Sequence, residues 1–146
     1  MTQNVGMESK SFMTKMINTY ELYLNNSRGN SLTIEEAQSI YSKMAAGIEE
    51  CRLEDKFDFW SDFLKKAAEY TYIRNKWEFM SREEKMEADQ GRSLVHDSFI
   101  TSLNILARIE DNEGIDKSWR EELGDDRKRI GDFACFVSYI TGISNR

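Results

Sequence analysis

The chain has 146 residues, 40% of them hydrophobic and 32% charged, with a formal net charge of −6. That length fits one domain with a core of its own, and the composition is too apolar for a disordered chain and too charged for a membrane-embedded one. The acidic balance argues against a general nucleic-acid binder, because phosphate backbones want a basic surface, and it points to no partner of its own. Proline is absent. With helical spacing recurring throughout, this favours an all-α fold, a helical bundle of about five helices, since proline is costly in helix interiors.

Residues Met1 to Met7 read as a loose arm of a single helical domain spanning 1–146. No apolar stretch follows a basic start there, so no signal peptide is expected. No run approaches the roughly 20 apolar residues that span a bilayer. A cytoplasmic protein with no membrane and no nucleic-acid partner is the expectation. Phe12, Met13, Met16, Ile17, Tyr20, Tyr23 and Leu24 recur at three- and four-residue steps and predict a helix from near Glu8 to Leu24. The run NNSRGN at 25–30 is turn chemistry.

Thr33 followed by Glu36 is a capping box and starts the second predicted helix. Its apolar stripe is Ile34, Ala37, Ile40, Tyr41, Met44, Ile48 and Cys51. The charged segment 49–56 is either its end or a connector. The next helix, Phe57–Phe79, is apolar nearly all round. Phe59, Trp60, Phe63, Leu64, Ala67, Tyr70, Thr71 and Arg74 cover a broad arc that Ile73 and Trp77 widen further. Such a helix is expected at the centre of the bundle.

Ser81 and Glu84 form a second capping box and open a helix over about Arg82–Ile109. Gly91 weakens that helix by about 1 kcal/mol relative to alanine, which invites a kink or a break. Beyond it Val95, Phe99, Leu103 and Leu106 face inward, and Asp97, Thr101, Asn104 and Arg108 form a polar stripe. DNEG at 111–114 reads as a loop. Asp116 is a candidate cap for a short helix carrying Trp119 and Leu123. Ile130, Phe133, Ala134, Val137 and Ile140 predict a last helix stopped by Gly142.

Arg74 is the sharpest polar feature. A guanidinium on a buried stripe needs a carboxylate or several carbonyls, because leaving it desolvated and unpaired costs several kcal/mol. Glu69, Glu78, Asp97 and Asp132 are the candidate partners. Arg92 points close to the inward direction of its own helix. Three readings follow: a structural ion-pair network that sets helix register, an anion or ligand pocket between the two central helices, lined by Tyr70, Arg74, Arg92 and His96 beside Asp97, or arginines that snorkel to the surface. The cluster Arg127, Lys128, Arg129, flanked by Asp125, Asp126 and Asp132, reads as a solvated face.

Other constellations have bland counterparts. His96-Asp97 is similar to the paired ligands of HD-type phosphohydrolases, but those need more histidines and this chain has one. The alternative is a histidine at the edge of the core making a polar contact, with Asp97 outside. Glu83, Glu84 and Glu87, with Glu110 and Glu113 later, resemble the acidic pattern of magnesium-dependent all-α nucleoside triphosphate pyrophosphatases. In a chain with 26 acidic residues such spacing also arises without a site, and glutamates favour a helix N-terminus anyway. Glu49, Glu50 and Glu54 form a rival set. Cys51 and Cys135 fall at apolar helical positions and read as buried free thiols, with no neighbour that would activate them. No strand-turn-helix serine elbow exists. No cofactor is expected.

The segments Arg92 to Ile100 (RSLVHDSFI), Leu103 to Arg108 (LNILAR) and Arg129 to Ala134 (RIGDFA) resemble short all-helical proteins of Gram-positive bacteria and their phages. The resemblance covers most of the chain from Tyr70 on. It implies a helical bundle in a bacterial cytoplasm and brings no catalytic residues with it. The leading expectation is a non-enzymatic helical domain that acts by association with a protein partner or with itself, as a homodimer. Surplus aromatics (Tyr20, Tyr23, Tyr72, Trp77, Phe79) and the polar stripe are its candidate surfaces. The glutamate-based hydrolase and the small-anion binder are the alternatives.

Overall fold

The computed structural model describes residues 32–77 and 79–142. The arm, the predicted helix Glu8–Leu24, the 25–30 turn and Glu78 lie outside the described residues. Those described form five helices and no strand: α1 Ile34–Glu50, α2 Lys56–Trp77, α3 Arg82–Asn112, α4 Ser118–Leu123 and α5 Arg127–Thr141. The fold is an all-α bundle. One continuous core draws side chains from all five helices.

Both predicted capping boxes form. Thr33 Oγ1 accepts from the Glu36 amide at 3.1 Å, and Ser81 Oγ accepts from the Glu84 amide at 3.1 Å. α1 buries Ala37, Ile40, Met44 and Ile48, the three- and four-residue rhythm of its stripe. It ends at Glu50, and residues 51–55 are the connector. The Glu113 carboxylate pins that connector by accepting from the amides of Arg52 and Leu53, at 2.7 and 3.2 Å.

The sequence pattern makes 57–79 the central element. α2 holds that place, lying along both α3 and α5 and burying Phe63, Ala67, Ala68, Tyr70 and Thr71 between them, while α5 is buried at every residue from 130 to 138. The first turn of α2 leaves the core, so Phe57 is 57% exposed and Phe59 36%. Periodicity reports which face is apolar but not how much of it a neighbour covers. Phe63 joins the layers, with its ring 5.6 Å from Phe99 on α3 and 6.5 Å from Phe133 on α5.

Gly91 breaks nothing. α3 runs unbroken for 31 residues, about 46 Å at 1.5 Å per residue, and takes in half of the expected DNEG loop. The Asp116 carboxylate accepts from the Ser118 amide at 2.9 Å, ahead of α4. Trp119 and Leu123 of that short helix are wholly buried. Asp126 caps α5 by accepting from the Arg129 amide. Gly142 closes it with φ of +69°, a left-handed geometry that glycine adopts without strain. Among the described residues, no helix is long and apolar enough to cross a membrane.

Candidate functional site

Only a few residues separate Trp77 from Arg82, which makes α2 and α3 antiparallel neighbours. Tyr70 and Arg74 stand one turn apart on α2, and Arg92 and His96 one turn apart on α3, so the hairpin brings the two pairs face to face. The first turn of α5 adds Arg127 and Lys128. Together with Ser93 these side chains line a cavity of about 410 Å³. Tyr70, Arg74, Arg92 and His96 are thus brought together. Arg127 and Lys128 are exposed, as a solvated face requires, yet they also form a wall of this cleft. Arg129 turns away to Glu36, at 2.7 Å.

Arg74 is paired, and Asp132 is its partner. The guanidinium donates to Asp132 Oδ1 at 2.7 Å, and those side chains are 17% and 1% exposed. Its other terminal nitrogen lies 3.6 Å from Cys135 Sγ. The expectation that neither cysteine has an activating neighbour is therefore corrected for Cys135. Burial nonetheless prevails over Arg74 and pushes that thiol up. Burial also raises Cys51, helped by Glu113 and Glu110. Both are buried free thiols.

Arg92 is held differently. Its guanidinium carbon sits 4.6 Å from the centroid of the Trp77 ring, a cation–π contact. Its Nε is buried and has no hydrogen-bond partner among the described residues. Here a donor is desolvated without an acceptor, which costs about 1–3 kcal/mol when nothing fills the gap.

His96 is 2% exposed. Its Nε2 lies 3.1 Å from the Arg127 carbonyl oxygen. A carbonyl only accepts, so Nε2 carries the proton and Nδ1 a lone pair. Burial holds the imidazole below its ordinary pKa, which keeps it neutral at pH 7. Tyr70 meets it edge-on at 5.2 Å. Nδ1 has no hydrogen-bond partner among the described residues; Asp97 Oδ1 stands 4.0 Å off. Asp97 itself is 63% exposed and lies 3.6 Å from Arg127, so it belongs to the open rim.

The other candidate residues lie elsewhere. Glu83, Glu84 and Glu87 are exposed on the first turns of α3, where Glu84 completes the capping box. Glu110 and Glu113 do not join them. Glu110 is wholly buried against Trp119, and Glu113 holds the 51–55 connector. Among the described residues, no group of three histidine, cysteine or acidic side chains is placed to hold a metal. Within the polar stripe, Asn104 accepts from Arg120 at 2.8 Å and Thr101 bonds back to the Asp97 carbonyl. Trp77 and Tyr72 are half-buried under Arg92 and Lys76, whereas Phe79 is 87% exposed. Tyr20 and Tyr23 lie outside the described residues.

Comparison of the chain with protein-family models, with curated proteins and with solved structures finds no match.

Proposed function

We propose that this protein binds a small oxyanion-bearing ligand, of the phosphate type, in the cleft between α2, α3 and the start of α5. The observation that carries the reading is the Nε of Arg92, buried and, among the described residues, unpartnered, in a cleft whose described lining contains no carboxylate. Four of the seven lining side chains are cationic, in a chain with a net charge of −6. A concave site lined by one sign of charge focuses the field and attracts the opposite charge. Guanidinium groups present paired donors matched to tetrahedral and planar oxyanions. The first turn of α5 contributes two of those cations, Arg127 and Lys128.

The test is calorimetric titration of the full chain with inorganic phosphate, against chloride at equal ionic strength, for the wild type and Arg92→Gln. Saturable binding weakened about tenfold in the variant, or 1.4 kcal/mol, is the expected result. Heats equal to those of chloride overturn the reading.

A second reading rests on exposed apolar side chains. Phe79, Met86 and Leu94 are 87%, 74% and 61% exposed on the hairpin and the first half of α3. Such side chains favour association with a protein partner or a second copy. Light scattering across a concentration series tests the homodimer, and a mass independent of concentration and equal to one chain removes it.

A further inference from the structure

The cleft is larger and more highly charged than one phosphate needs. About 410 Å³ falls in the range of small-molecule sites. At roughly 30 Å³ per water-sized atom, the five heavy atoms of inorganic phosphate fill about 150 Å³. The nine of a diphosphate fill about 270 Å³ on the same scale. Its donors also come from two walls. Arg92 and Ser93 stand on α3, and Arg127 and Lys128 begin α5.

Nor does the lining offer a surface for a ring. Among the described residues, Tyr70 and His96 are the aromatic side chains of the cleft, and they are only 4% and 2% exposed. Almost all their ring area is packed against the protein. The rest of the lining consists of donors: guanidinium groups, an ammonium and a hydroxyl. Arg74 is compensated by Asp132, and the Asp97 carboxylate nearest Arg127 is a rim group open to solvent. Arg92 has no acidic partner among the described residues. A ligand that satisfies such a lining brings oxygen acceptors along its length.

Resting on the anion-binding reading, we infer that the ligand carries two linked phosphoryl groups, one held by Arg92 and the other by the Arg127–Lys128 end of α5. Free pyrophosphate and the diphosphate of a nucleotide share this chemistry. Among the described residues no carboxylate lines the cleft, so the metal-free ligand is the one to test first.

The experiment is calorimetric titration of the full chain, with EDTA present, against sodium pyrophosphate, inorganic phosphate, ADP and AMP. Pyrophosphate is expected to bind at least about tenfold more tightly than phosphate. Lys128→Gln is expected to erase most of that advantage, its loss of affinity for pyrophosphate exceeding its loss for phosphate at least about fivefold, because Arg92 remains. ADP matching pyrophosphate would identify a nucleotide as the source, and ADP binding more weakly would identify the free diphosphate. Equal affinity for phosphate and pyrophosphate overturns the inference and leaves the anion-binding reading standing. If none of the four binds, both fall. Since Lys128 is exposed, its variant is expected to fold, and circular dichroism checks that it does.

Discussion

Gly131 on α5 lies directly under Tyr70 on α2: a Cβ built on Gly131 would stand 2.7 Å from the Tyr70 hydroxyl oxygen and 3.1 Å from Arg74 Nη1. The absence of a side chain there lets both groups sit against the α5 backbone at the floor of the cleft. Gly131→Ala is therefore expected to push Tyr70 and Arg74 outward, at a cost of about 1–3 kcal/mol from overpacking. Ligand affinity falls with the displacement of Arg74. Chemical denaturation and phosphate titration of the variant check the two effects separately, and a variant as stable as the wild type would show that the tyrosine shifts freely.

Tyr70, Arg74, Arg92 and His96 were all legible in the sequence, because helical phase alone puts them on inward faces one turn apart. Asp132 was one of four candidate partners for Arg74. It lies 58 positions away, and periodicity holds no information about which helices meet. The same gap explains Arg127 and Lys128. A charged tripeptide beside aspartates has the pattern of a solvated face, and only the docking of α5 across the hairpin makes it a wall. Within α2, Phe59 reads as core but is 36% exposed, because periodicity does not say how far along the helix its neighbours reach. The buried Glu110 carries no local signal, since its partner Trp119 stands on a separate helix. The capping boxes and Gly142 were readable because the residues that specify them are adjacent.

The Arg74–Asp132 pair limits how strongly the cleft attracts anions. Asp132→Asn keeps the shape and removes the negative charge. Loss of one partner from a fully buried pair costs about 3–5 kcal/mol. Arg74 opens onto the cleft and is partly solvated, so a cost nearer 2 kcal/mol is expected. The freed guanidinium adds its charge to the site, so phosphate should bind more tightly to this variant and restore part of its lost stability. Thermal melts with and without phosphate report both changes. A variant that melts lower and gains nothing from phosphate would mean that Arg74 does not face the ligand.

Gly91 offers a change in the opposite direction. It lies within α3, is exposed, and a Cβ built there meets nothing within 4 Å. Alanine at this position removes the entropic penalty of glycine in a helix, and Gly91→Ala should stabilise the protein by about 0.5–1 kcal/mol. The midpoint of denaturation should rise with the slope unchanged. Since residue 91 adjoins Arg92, unchanged phosphate affinity in the same variant would show that the long helix is straight and rigid at the cleft rather than poised to bend there.

Two buried groups pull the pH dependence of stability in opposite directions. Glu110 is wholly buried between α1 and α4. One oxygen accepts from Trp119 Nε1 at 3.0 Å, and the other has no hydrogen-bond partner among the described residues. A Cβ at Gly47 would collide with its carboxyl group. Burial pushes the acid up to about 7 against the pull of Trp119, with Asp116 and Glu50 adding repulsion. The fold thus favours the protonated acid. Its contribution is fully present below the unfolded value of 4.5 and is lost as pH rises through about 7, a loss on the order of 3 kcal/mol. His96 has the opposite sign. Burial lowers its pKa from 6.5, so its contribution is present above 6.5 and is lost as pH falls through the folded-state value. Denaturation measured across this range should therefore show Glu110→Gln flattening the decline toward neutral pH and His96→Gln flattening the decline on the acid side. A Glu110→Gln profile parallel to the wild type would mean that this carboxyl group is ionised in the native protein. Because bound phosphate favours the imidazolium at the cleft and so raises its folded-state pKa, the acid-side decline should become shallower when phosphate is present, and an unchanged decline would separate His96 from the ligand.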